Sequence, residues 1–116
     1  MKPQAFRELA LELPEAVEAS HMGHPDFRVG GKIFATLGPV GEIEPWGMVK
    51  LTPEQQAPLL ASEPDVFEAA SGAWGRGGAT LVRLKKARVG TIRRALAAAW
   101  RNTAPKRVVR RFDGEE

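Results

Sequence analysis

The pair Gly30-Gly31, set between two extended apolar runs, constrains this chain more than any other feature. Two-residue hairpin turns need positive φ, which glycine reaches without a Cβ clash, so the pair reads as the turn of a β-hairpin. Within the stretch Ser20 to Leu37, its strands are Phe27-Arg28-Val29 and Lys32 to Leu37. Alternation places Ile33, Ala35 and Leu37 on one side of the second strand and Lys32, Phe34 and Thr36 on the other. The rest of the chain has to supply partners and cover for that hairpin.

A helix is predicted from about Pro3 to Leu13, with Pro3 in its first turn, Pro14 as its stop, and Phe6, Leu9, Ala10 and Leu13 as its apolar stripe. Glu15 to His21 alternates like a half-exposed strand. Residues 38–47, GPVGEIEPWG, read as an irregular connection, followed by a short strand over Trp46 to Leu51. Thr52-Pro53-Glu54-Gln55 then has the form of a capping box with proline at the first helical position, opening a helix over Pro53 to Ser62. Pro58 should shorten or bend it. Val66 to Ala70 and Thr80 to Leu84 read as strands joined by a turn over 71–78, SGAWGRGG; in the second, Leu81 faces opposite to Thr80 and Val82. The last helix runs from about Val89 to Asn102, burying Val89, Ile92, Leu96, Ala99 and Trp100. The expected fold is α+β: an antiparallel sheet of five to six strands, with helices mainly on one face and the order helix, three or four strands, helix, two strands, helix. One domain over residues 1–105 and a basic, then acidic, tail over 106–116 account for the length.

With no cysteine, the chain has neither a disulfide framework nor a thiolate metal site, which fits a cytoplasmic protein. No apolar run approaches the ~20 residues of a membrane span. Acids in the N-terminal segment, Glu8 and Glu12, argue against a secretory signal there. The formal net charge of +3 conceals an asymmetry: residues 1–82 hold 6 Lys/Arg against 11 Asp/Glu, residues 83–116 hold 11 against 3. The C-terminal third therefore presents either a basic surface for a polyanion or charges matched by the acidic part on folding.

The candidate sites are few. His21 and His24 with Asp26 offer zinc-type donors, but they straddle a Gly- and Pro-containing segment, read as a hairpin-entry loop whose histidines bond to backbone. No cysteine or tyrosine is present, and Ser20, Ser62 and Ser71 lack a nucleophile context. Glu42 and Glu44 read as solvating charges, so no enzyme and no cofactor are expected. Gly75-Arg76-Gly77-Gly78 leads into a strand rather than a helix, so a turn is expected there, not a phosphate loop. Trp46, Trp74 and Trp100 are expected mainly in the core, with a ligand cleft, or Trp74 beside Arg76, as the alternative. Phosphate contacts need only cations, and Arg83, Lys85, Lys86, Arg88, Arg93, Arg94, Arg101, Lys106, Arg107, Arg110 and Arg111 supply them. No recognition helix or RNP-type aromatic set accompanies them, so any DNA binding is expected to be weak and sequence-tolerant.

Several strings resemble the MmcQ/YjbR family of small bacterial α+β proteins, often labelled DNA-binding. They are GHPDFRVGGKIFATL (23–37), GMVKLTPEQ (47–55), the Trp74 turn before a strand, and AAAW (97–100) closing the last helix. The resemblance covers most of residues 5–105 and implies an antiparallel sheet packed against helices, a topology shared with secretion chaperones and likened to the frataxin-like CyaY fold. The family's usual ending, Ser-Tyr followed by Leu-Pro-Lys-Lys, is replaced here by Trp100-Arg101 and Ala104-Pro105-Lys106. Besides DNA, the resemblance and the short strands suggest a second partner class: another protein, or a second copy in a homodimer, held by an exposed sheet edge or face.

Overall fold

The computed structural model describes residues 1–38 and 45–114. Most of the expected connection at 38–47, including Glu42 and Glu44, and the last two residues of the tail lie outside the described residues. Gly30 and Gly31, with φ of 60° and 80°, turn the chain between β2 (His24–Val29) and β3 (Lys32–Leu37). A second tight turn at Met22-Gly23, φ 49° and 80°, joins β2 to β1 (Val17–His21). The expected loop around the histidines is thus a hairpin end, and β2 begins three residues before Phe27. Pro25 had argued for a loop. It is tolerated because its Ser20 pairing is one step from the closing pair His21↔His24, and β3 pairing starts only at Asp26.

β2 and β3 do not alternate strictly. Phe27 opposes Ala35 while Arg28 opposes Ile33, which leaves Phe34 as the extra residue of a bulge. Phe34 is therefore fully buried with Ala35 and Leu37, and Ile33, expected on that side, is only partly covered. β4 (Trp46–Lys50), β5 (Phe67–Ala69) and β6 (Ala79–Arg83) complete an antiparallel sheet of six strands in the order β1-β2-β3-β4-β6-β5.

One face of the sheet carries the helices. α1 (Pro3–Leu11) ends two residues before the expected Leu13 and buries Phe6, Leu9 and Ala10. α2 (Pro53–Ser62) starts with both capping-box bonds, Gln55 N to Thr52 Oγ1 and Thr52 N to Gln55 Oε1, and runs unbroken past Pro58. α4 (Val89–Thr103) lays Ile92, Ala95, Leu96, Ala99 and Trp100 across β3 and β4. Val89, expected in that stripe, is the first residue of the helix and is 50% exposed. The Trp100 indole N–H donates to the Pro14 carbonyl at 2.9 Å, tying α4 to the end of the α1 turn.

The segment 71–78 is not a plain turn: Gly72–Arg76 forms a one-turn helix, α3. Gly75 serves close packing, since a Cβ there would sit 1.7 Å from the Ala70 carbonyl oxygen. Lys106–Phe112, in the expected tail, forms α5, which buries Val108 and sets Phe112 5.1 Å from Trp100. Among the described residues no helix is long and apolar enough to cross a membrane.

Candidate nucleic-acid interface

Among the described residues, the side of the sheet away from the long helices is open. Strand period two puts Trp46, Met48 and Lys50 of β4 there, opposite Arg83, Leu81 and Ala79 of β6, with Thr36 of β3 opposite Met48. Trp74 on α3 overhangs this face, and the β1–β2 turn brings His21, Met22 and His24 to its other side. Together they form a shallow cleft of about 300 Å³, floored by Thr36, Met48 and Leu81. The His24 and Trp46 rings are 5.7 Å apart and tilted, and His21 stacks on His24 at 5.9 Å. Trp74 is 62% exposed and Met22 92% exposed, so two large apolar side chains at the rim face water. A second hollow of about 200 Å³ shares Trp46 and Leu81 with the first and is lined by Arg83, Lys85 and Lys86.

Of the three tryptophans, then, only Trp100 is a fully buried core residue; Trp46 and Trp74 belong to the cleft. The alternative cation–π pairing of Trp74 with Arg76 is not what forms among the described residues; Arg101 lies over Phe112 instead, 5.5 Å from its centroid.

Beside the cleft lies a polar network the sequence did not announce. The Asp26 side chain is wholly buried on the open face. Arg28 donates to it through Nε at 2.8 Å and Nη2 at 3.0 Å, and the His21 ring lies 2.7 Å away through Nδ1. The Arg28 hydrogen bonds hold the Asp26 carboxyl below its ordinary range despite its burial, with His21 adding to the effect. Asp26 raises the Arg28 guanidinium in return. The histidine expected to bond to backbone is thus held by a carboxylate. The available signal was the i, i+2 placement of Asp26 and Arg28 on one strand face, with Ala19 and His21 across β1. Among the described residues no group of three or more His, Asp or Glu is placed to hold a metal ion.

The eleven expected phosphate contacts fall into separate groups. Arg83 pairs with Glu68 at 2.7 Å, Arg93 with Glu12 at 2.7 Å, Arg101 with Asp113, and both Arg107 and Arg111 with Glu15 at 3.6 Å. Lys85, Lys86, Arg88, Arg94, Lys106 and Arg110 make no ion pair among the described residues. Arg83 to Arg88 gather where β6 passes through a 3-10 turn (Leu84–Lys86) into α4; Lys106 to Arg111 lie on α5, beyond its other end. The 15 residues of α4, which carry Arg93, Arg94 and Arg101, set these two groups about 22 Å apart, more than two screening lengths of ~8–10 Å in physiological salt. Only the first group adjoins the cleft.

The YjbR family model matches residues 11–102. The fold is similar to the crystal structure of a Deinococcus radiodurans protein with domain DUF419, at a TM-score of 0.73 and 16% identity, covering 95% of this chain and 86% of that one. No curated protein matches the chain. With the model spanning everything from the end of α1 through α4, this chain belongs to the YjbR family.

Proposed function

We propose that this chain is a non-enzymatic DNA-binding domain that holds phosphates, weakly and without sequence preference, at the corner where β6 meets α4. The observation that supports this reading is the run Lys85, Lys86 and Arg88, unpaired among the described residues and continuous with Arg83 beside the open sheet face. Phosphate recognition needs donors and positive charge but no base-reading geometry, and a loosely held corner of lysines offers that. The α5 cations act as a secondary, partly neutralised group through Lys106 and Arg110. The test is anisotropy with a labelled duplex at ~50 mM and ~200 mM salt, where affinity falls with a log–log slope of about −0.9 per phosphate neutralised. Lys85→Glu with Lys86→Glu abolishes the signal, whereas Arg107→Glu with Arg111→Glu weakens it less. Wild-type protein that leaves micromolar duplex unshifted at the lower salt overturns the reading.

A second reading, a protein partner or homodimer, draws on the edge strand β1, whose Val17 is exposed and whose outer backbone groups are unpaired within the sheet. Light scattering at high concentration tests it; a monomer at every concentration removes the homodimer version.

A further inference from the structure

We infer that the open sheet face takes single-stranded nucleic acid, with an unpaired base seated in the aromatic cleft and its phosphates on the adjoining lysine corner. This rests on the phosphate-binding reading above and narrows it from nucleic acid in general to an unpaired strand. The first support is the side-chain set. Trp46, Trp74 and His24 surround a floor of Met48 and Leu81, offering π-faces on which any base stacks without sequence reading. The second is exposure. Trp74 is 62% exposed, so burial in the core does not account for its position. The third is charge complementarity along one continuous surface: Trp46 lines both the cleft and the hollow lined by Arg83, Lys85 and Lys86, where Glu68 offsets Arg83 and the two lysines stay in excess. Bases paired within a duplex keep their faces stacked on each other, so only an unpaired strand can use both halves of this surface. At about 300 Å³ the cleft stands at the small end of ligand pockets, suited to one flat ring rather than a large cofactor.

The experiment uses the full chain and four labelled or competing probes at ~50 mM salt: an oligo-dT of about 12 nucleotides, an abasic strand of equal length, the matching duplex, and dTMP. Oligo-dT is expected to bind about ten-fold or more tightly than the abasic strand and to quench tryptophan fluorescence. Trp74→Ala should lower the oligo-dT affinity about 5- to 150-fold, and Trp74→Phe should restore most of it. Circular dichroism on both variants confirms that they fold. Equal affinity for oligo-dT and the abasic strand, or a duplex that binds more tightly than oligo-dT, overturns the stacking inference while leaving the phosphate reading intact. Failure of every probe overturns both. Binding of dTMP as tight as that of oligo-dT overturns the strand assignment, because the site would then be one for a free nucleotide.

Discussion

Asp26 and Phe27 are neighbours in β2, both wholly buried, and they point to opposite faces of the same sheet. On the helix side Phe27 is buried by hydrocarbon: Phe6 of α1 lies 6.2 Å away, and Leu96 and Trp100 of α4 belong to the same cluster. On the open side Asp26 is buried by two polar partners, the Arg28 guanidinium and the His21 ring, with no helix above it among the described residues. The first arrangement removes apolar area from water and follows directly from amphipathic patterning. The second sets polar groups in fixed positions beside an aromatic cleft, which packing alone does not require. The comparison teaches that the helix-covered face maintains the fold, while the open face has features in excess of what the fold needs.

The sharpest way to break this contrast is Trp100→Ala, which removes the largest fully buried side chain and its bond to Pro14. A loss of about 3–5 kcal/mol in urea unfolding is expected. A loss near zero would mean that α4 does not organise the core. Next comes Asp26→Asn on the open face, which leaves Arg28 without its carboxylate. Because Arg28 reaches water, the expected cost is about 1–3 kcal/mol rather than that of a fully enclosed pair.

The same residue carries a pH signature. The folded Asp26 carboxyl lies below its ordinary value of 3.8, so its stabilisation is complete above that value and is lost as pH falls through the lower folded one. Wild type and Asp26→Asn should therefore differ clearly at about pH 7 and converge in the acid range, as read from urea midpoints. A gap that does not narrow would show that the cost of the substitution is geometric rather than electrostatic. The smallest effect belongs to Trp74→Ala, expected to change stability by less than about 0.5 kcal/mol because the ring is mostly in water. A larger loss would move Trp74 from the binding surface into the structural account.

Much of the fold was legible because its signals are local. The Gly30-Gly31 reversal, the Thr52–Gln55 capping box and the apolar spacing of α4 each act through bonds and faces within a few residues; the first two stand where they were expected, and the stripe of α4 does so from Ile92 onward. Phe34 was misplaced because a bulge depends on how two strands pair, not on either strand's own alternation. The one-turn helix in residues 71–78 was hidden because glycine marks close packing as readily as a turn, and only the carbonyl of Ala70 tells them apart. The basic C-terminal third was visible as composition, but its division was not, since the acids that neutralise Arg93, Arg107 and Arg111 come from Glu12 and Glu15 near the other end of the chain.

By itself the sequence determined the order of the strands and of the three longer helices, the antiparallel sheet and most of the apolar helix faces, because turns, caps and periodicity are properties of short segments. Tertiary structure alone decided which face stays open, that Trp46 and Trp74 line one cleft on it, and which cations keep their charge unmatched among the described residues. Those are distances between residues far apart in the chain, and they exist only once the sheet has brought its strands side by side.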